Sequence, residues 1–360
     1  MNNIPYDASH VLAHTTGIWD EFRQARLFVT GGTGFIGKWL LESFLAANDA
    51  FDLQARVCVL SRDPARFRAE TPRMSAHASI EFVAGDVRSF DFPSGAFTHI
   101  VHGATDIANP ASPLDTFDVT VGGTRRVLDF ARACGAKNLL LISSGAVYGR
   151  QPPEISHLGE GYAGAPSMLS TASAYGEGKR VSEWLSFVYG QSGGLQVRIA
   201  RCFALVGPHL PLDKHFAIGN FIRDVLAGQD IAIGGDGTPL RSYLHAADLA
   251  AWLWIIMARG APSSAYNVGS DQAISIAGLA ELVARLAASG SRVNRAKTPQ
   301  PGAAPERYVP SIDKARRELG LNVWIPLEAA ILDTLLAYKD EPRQFRNASK
   351  SRIAEVIWKN

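Results

Sequence analysis

The stretch Arg26-Leu-Phe-Val-Thr-Gly-Gly-Thr-Gly-Phe-Ile-Gly37 constrains the fold more than any other: an apolar run enters a glycine-dense turn and leaves it as an apolar helical pattern. A strand, a glycine turn and a helix in that order build a βα unit whose turn can cradle a pyrophosphate. One glycine takes positive φ, one lets the backbone approach the phosphates, and one lets the helix pack on its strand. Gly32, Gly34 and Gly37 fit a G-x-G-x-x-G spacing, and Gly31, Gly34 and Gly37 fit G-x-x-G-x-x-G. In either register the N–H groups of Phe35 and Ile36 open the helix and aim at the anion. The flanking strand and helix favour a dinucleotide site over a ligand-free glycine turn.

Apolar strand runs recur at Arg56–Leu60, Ile80–Ala84, His99–Ala104 and Asn138–Ile142, separated by helical patterns over 35–47 and Asp115–Cys134. That alternation predicts an α/β fold with a doubly wound parallel sheet. At 360 residues the chain has length for one large domain or two modest ones. A formal charge of +2, with 19% charged and 47% hydrophobic residues, argues against disorder and against a nucleic-acid surface. Cys58, Cys134 and Cys202 lie in apolar stretches without a C-x-x-C, which reads as buried free thiols rather than disulfides or metal ligands. With no membrane-length apolar run and no signal-peptide core in Met1 to Asp20, a cytoplasmic protein without a membrane partner is expected. Residues 1–24 read as an N-terminal extension with a short helix on the outside of the domain. The helix Ala246–Ala258, with Trp252 and Trp254, reads as core, and Arg343 to Lys359 as a solvated basic tail.

The end of the second strand bears on cofactor choice. A carboxylate there would bind the adenosine ribose diol, whereas an arginine can pair with a 2′-phosphate. Ser61 stands in the acid's place and Arg62 follows, which favours NADP(H), with NAD(H) as the alternative if Asp63 takes the acidic role one step later. Asp86 and Val87 are placed to touch an adenine edge, and Gly103-Ala104 to let backbone lie against the cofactor. The fifth strand delivers Ser143-Ser144 to the carboxyl edge of the sheet, where open α/β folds bind ligands. A Pro/Gly/Ser-rich segment from Gln151 to Ser173 reads as a substrate-side loop. Tyr175 and Lys179, four apart, then share a face of the next helix.

With TGGTGFIG (30–37), GDV (85–87), SSGAVYG (143–149), YGEGK (175–179), RCFALVGP (201–208), GDGTPLRSYLHAADLA (235–250) and YNVG (266–269), the chain resembles the extended short-chain dehydrogenase/reductase family, in its nucleotide-sugar epimerase, dehydratase and ketoreductase group. The resemblance spans about residues 25–340 and implies Ser144, Tyr175 and Lys179 as the catalytic group. The two hydroxyls would hold a sugar carbonyl, and the Lys179 ammonium would favour the phenolate. It also implies that Asn220, Arg241 and Arg307 bind a nucleotide-diphosphate sugar. Residues 25–200, rejoined by parts of 240–260, would be a Rossmann-type dinucleotide domain, 201–340 a smaller discontinuous α/β substrate lobe, and 341–360 a tail. A homodimer through the helices near 115–134 and 174–189 is implied as well.

Departures from the group's patterns narrow the reaction. Sugar 4,6-dehydratases of the group usually carry Asp-Glu after the active-site hydroxyl residue, and uronic-acid decarboxylases a glutamate in the same region. Here those positions are Gly145 and Ala146, which transfer no protons. Thr120 replaces a common asparagine, and Ala204 a sugar-contacting asparagine of some 4-epimerases. The expectation is NADPH-dependent reduction of a 4-keto(-6-deoxy) sugar nucleotide, with 4-epimerisation on tightly bound NAD as the alternative. Dehydration, decarboxylation and a non-catalytic cofactor-binding regulator stand behind these.

Overall fold

A computed structural model describes residues 7–105, 112–214 and 216–339; the basic tail falls outside them. Six strands come first: β1 (Arg26–Thr30), β2 (Arg56–Ser61), β3 (Ile80–Ala84), β4 (His99–His102), β5 (Asn138–Ser144) and β6 (Gln196–Cys202). Eight further segments follow, all but β11 of two or three residues: β7 (Leu205–Val206), β8 (Ile231–Ile233), β9 (Leu240–Arg241), β10 (Leu244–His245), β11 (Ser264–Val268), β12 (Ile274–Ser275), β13 (Val293–Arg295) and β14 (Arg307–Tyr308). The helices in chain order are α1 (Ala8–His14), α2 (Phe35–Ala50), α3 (Pro64–Glu70), α4 (Pro72–Ser75), α5 (Pro113–Ala133), α6 (Ala174–Gly193), α7 (Ala217–Leu226), α8 (Ala246–Arg259), α9 (Ile276–Ala287), α10 (Asp313–Leu319) and α11 (Leu327–Lys339).

The main sheet runs β3-β2-β1-β4-β5-β6-β11, and every pairing in it is parallel. This is the doubly wound, Rossmann-type α/β fold that the sequence predicts. Its strands are apolar on both faces because helices cover both. Leu27, Val29, Val59, Leu140 and Ile142 enter one core cluster, while Phe28, Cys58, Leu60, Leu139 and Leu141 enter the other. Chain order reverses between β1 and β4, which opens a crevice at the carboxyl ends of the strands. Beyond β6 the chain builds the small sheets β12-β9-β14, β13-β8 and β10-β7, and returns to the main sheet through β11. No helix among the described residues is long and apolar enough to cross a membrane.

Several boundaries differ from the sequence expectation. β5 continues through Ser144, β4 stops at His102, and α6 extends past Tyr189 to Gly193. Residues 8–22 are not merely an outer layer. Val11, Ile18, Trp19 and Phe22 are buried, and Trp19 and Phe22 both lie 5.3 Å from the ring of Trp254 on α8. Trp252 and Trp254 are core, as expected. Cys58 and Cys202 are buried free thiols, whereas Cys134, at the end of α5, is only half-buried.

Candidate active site

The turn after β1 is shaped by backbone crowding. Gly31 adopts φ +74°, and a β-carbon there would stand 2.6 Å from the Gly103 carbonyl carbon and 2.8 Å from the Ala104 nitrogen. The turns after β1 and β4 are therefore in contact at the switch point. Gly37 packs its Cα against the Gly31–Gly32 backbone with no space for a side chain. Of the two possible spacings, the one beginning at Gly31 is the one whose first glycine needs positive φ. Gly34 caps α2 without a side chain to offer, so the N–H groups of Phe35 and Ile36 open toward the crevice with no intrahelical partner. The Thr30 hydroxyl accepts the Ala104 N–H at 3.1 Å and meets His102 Nδ1 at 2.7 Å. Burial pushes His102 down to about 3, so this brace is neutral at physiological pH. A glycine cradle beneath an uncapped helix start fits the pyrophosphate of a dinucleotide.

At the adenosine end, buried Ser61 accepts the Asp63 N–H through its hydroxyl at 3.2 Å. Asp63 is the N-cap of α3 and accepts the Arg66 N–H at 2.9 Å, so its carboxylate already has a structural role. Arg62 lies exposed between them, and its charge reaches Asp86. Asp86 grips Arg88 at 2.8 and 2.9 Å, and that contact holds its carboxyl below the usual range. Val87 is buried, its side chain packed against Gly123 of α5.

The reacting end forms where β5 meets α6. Ser144 closes β5 and accepts the Ala146 N–H at 3.1 Å, so it is a cap as well as a candidate catalytic hydroxyl. Tyr175 faces Ser144 from the first turn of α6, close enough for the serine hydroxyl to favour its ionised form. Lys179, one turn on, is only 2% exposed and donates to the Ile142 carbonyl at 2.8 Å, with its ammonium 5.9 Å from the Tyr175 ring centre. Burial dominates and pushes Tyr175 up to about 12, with the Ser144 hydroxyl opposing it, while burial pulls Lys179 down to about 8.

Three residues that the sequence reading missed complete this end. Glu183, a further turn along α6, accepts Ser143 Oγ at 2.6 Å and Arg201 Nη2 at 2.7 Å. Arg201 also donates to Tyr148 Oη at 2.9 Å. Spacing could have pointed to Glu183, since Tyr175, Lys179 and Glu183 fall at successive turns of one helix face. Tyr308 on β14, remote in the chain, also comes up beside Ser144: a β-carbon on Gly145 would stand 2.6 Å from its hydroxyl oxygen.

The expected substrate residues are dispersed. Asn220 sits on α7 and accepts Arg223 Nη1 at 3.1 Å. Arg241 donates to the Leu240 carbonyl at 2.9 Å and faces Glu306 at 3.4 Å, and its charge reaches Tyr308. Tyr308 is the register partner of Arg241 across β14 and β9. Successive strand residues point to opposite faces, so Arg307 lies on the face away from Arg241 and Tyr308, and the two arginines are not brought together.

A family model described as the NAD dependent epimerase/dehydratase family matches residues 27–269. UDP-glucuronic acid decarboxylase 6 of Arabidopsis thaliana is 30% identical over 303 residues, covering 84% of each chain. Among solved structures, DesIV, a dTDP-glucose 4,6-dehydratase from Streptomyces venezuelae with NAD bound, superposes with a TM-score of 0.74 at 26% identity, over 88% of this chain and 97% of its own. RMD from Pseudomonas aeruginosa, complexed with NADPH, superposes with a TM-score of 0.69 at 23% identity, over 88% of this chain and 99% of its own.

Proposed function

The chain belongs to the NAD dependent epimerase/dehydratase family, and from that premise we propose that it reduces the 4-keto group of a nucleotide-linked sugar with NADPH. The observation that carries this reading is a half-buried Tyr175 beside Ser144 and one turn from Lys179, with Gly145 and Ala146 following the serine. Reduction needs a proton donor at the outset, and the phenol, held at about 12, can serve as one at neutral pH. Ser144 and Tyr175 orient the carbonyl oxygen, and Tyr175 Oη gives it a proton as charge develops. Lys179 stabilises the phenolate left behind. The nicotinamide, when bound, supplies the hydride. Gly145 and Ala146 leave no side-chain acid or base for elimination or loss of carbon dioxide, so the decarboxylase activity in its relatives' names is not carried over.

The cradle of Gly31, Gly34 and Gly37 would hold the pyrophosphate through the N–H groups of Phe35 and Ile36, with Gly103 and Ala104 beside the cofactor. Ser61 and Arg62 would meet an adenosine 2′-phosphate, since Asp63 is committed to its helix. The nucleotide sugar would lie between residues 25–200 and residues 201–340, with Arg241 the better placed of the two arginines. The test is NADPH absorbance with a panel of 4-keto sugar nucleotides. Consumption supports reduction. NAD that survives gel filtration, with sugar interconversion and no net consumption, would instead indicate a 4-epimerase. Arg62→Ala is expected to raise KM for NADPH about tenfold and leave KM for NADH near its original value. Equal effects on both would remove Arg62 as the phosphate ligand.

A further inference from the structure

The carboxyl ends of β1 and β4 are joined by side chains as well as by backbone. Thr30 and His102 are register partners, and both are buried, as are Thr124 on α5 and Ser182 on α6. The Thr30 hydroxyl accepts the Ala104 N–H, so its own proton goes to His102 Nδ1, 2.7 Å away. A neutral imidazole that accepts through one nitrogen donates through the other, and Nε2 stands 3.0 Å from Thr124 Oγ1. The Thr124 hydroxyl in turn shares its proton between the Thr120 carbonyl at 2.7 Å and Ser182 Oγ at 2.9 Å. Ser182 Oγ donates to the Gly178 carbonyl at 2.9 Å, in the peptide that leads into Lys179. A one-way series of hydrogen bonds therefore runs from the last residue of β1, beside the glycine cradle, to the turn of α6 that carries Lys179.

This series does more than fill space. Burying an imidazole is costly unless both nitrogens are satisfied, and an apolar side chain would occupy the volume without that demand. The helices it crosses are in close contact, since a β-carbon on Gly178 would stand 3.1 Å from Thr120 Cβ, so a shift of α5 is felt by α6. Lys179 is held from the other side by its bond to the Ile142 carbonyl at 2.8 Å. Resting on the dinucleotide reading above, we propose that His102 is a positioning residue: it ties the pyrophosphate turn to α6, so that filling the glycine cradle fixes the turn that carries Lys179. Phosphate oxygens held by the N–H groups of Phe35 and Ile36 keep the end of β1 still. Thr30, His102, Thr124 and Ser182 pass that order on, because none of them can swing away without stranding a buried neighbour.

ADP tests the proposal, because it fills the adenosine and pyrophosphate positions and carries neither nicotinamide nor the nicotinamide ribose to touch α6 directly. Amide hydrogen exchange of the full chain is read by mass spectrometry without nucleotide and with saturating ADP or ADP bearing a 2′-phosphate. In wild type, nucleotide is expected to slow exchange in 30–37 and, by about threefold or more, in 178–186. His102→Phe, which keeps a ring and removes both hydrogen bonds, is expected to retain the slowing in 30–37 and lose it in 178–186. Exchange in 178–186 that nucleotide leaves unaltered in wild type, or slows equally in His102→Phe, overturns the role of His102 and leaves the dinucleotide reading standing. No slowing in 30–37 of wild type with either nucleotide overturns both. Should His102→Phe melt early, Thr124→Val, which cuts the series at α5 and keeps the side-chain volume, is expected to give the same selective loss, and slowing of 178–186 that persists there counts against the proposal.

Discussion

Burial sets Tyr175 and Lys179 in opposite directions. The phenol stays protonated to about 12, and the ammonium gives up its proton near 8 instead of its ordinary 10.5. Reduction draws a proton from Tyr175, available throughout the neutral range, and benefits from positive charge on Lys179, present only below about 8. The kcat/KM for reduction is therefore expected to be flat at neutral pH and to fall as pH rises through about 8; a profile that rises there would contradict the assignment. Tyr175→Phe is expected to lower kcat by about a hundredfold or more while dinucleotide affinity, read by fluorescence quenching, stays the same. At this scale the sequence was informative where function is local. Ser144, Tyr175 and Lys179, which the resemblance picked out, lie within one strand end and one helix turn, and the fold brings them together. Tyr308 was missed because a two-residue strand, held only by pairing with β9, carries it to Ser144. Arg307, expected from the resemblance, lies on the opposite face of β14 from Arg241, an alternation that is invisible without the pairing.

The position of α6 on β5 depends on a clamp. Glu183 takes Ser143 Oγ and Arg201 together, and Arg201 continues to Tyr148, whose hydroxyl donates to Asn267 Oδ1 at 2.7 Å. The two charged side chains are 17% and 11% exposed, enough shelter for removal of one to strand the other. Arg201→Met is expected to cost about 3 kcal/mol in urea unfolding and to lower kcat, because Ser143 precedes the hydroxyl that must face Tyr175. Unchanged stability would mean the pair is solvated and unimportant. The outer face of α6 carries Trp184, Phe187 and Val188, exposed at 62%, 46% and 39%. Spaced at i, i+3 and i+4, they form an apolar stripe on one of the two helices through which the resemblance implies a homodimer. Light scattering should give twice 38.8 kDa for wild type and 38.8 kDa for Trp184→Glu; a monomeric wild type would refute the assignment. Helices and long strands were legible because their apolar periods are strong. The strands of the small sheets after β6 were not, since segments of two or three residues carry no period and exist only through their partners.

Across the whole molecule, the order β3-β2-β1-β4-β5-β6-β11 places the glycine cradle and the end of β5 on the same sheet edge. The chain then spends residues 205–245 and 274–308 on small sheets, one of which sends Tyr308 and Arg241 to the reacting end. α8 and β11 return between these excursions, so sequence blocks do not coincide with spatial bodies. That is why the glycine motif made the parallel sheet legible while the contribution of β14 stayed hidden. The central claim is that Tyr175 protonates a sugar oxygen as hydride arrives on its carbon. Its most direct test uses NADPH deuterated at the transferable position, offered with 4-keto-6-deoxy sugars linked to each common nucleoside diphosphate, and reads the products by mass. The account predicts one deuterium on the former carbonyl carbon of one conjugate, lost when Tyr175 is changed to phenylalanine. Deuterium in none of the products, from a protein that binds both NADPH and the nucleotide sugar, would contradict it.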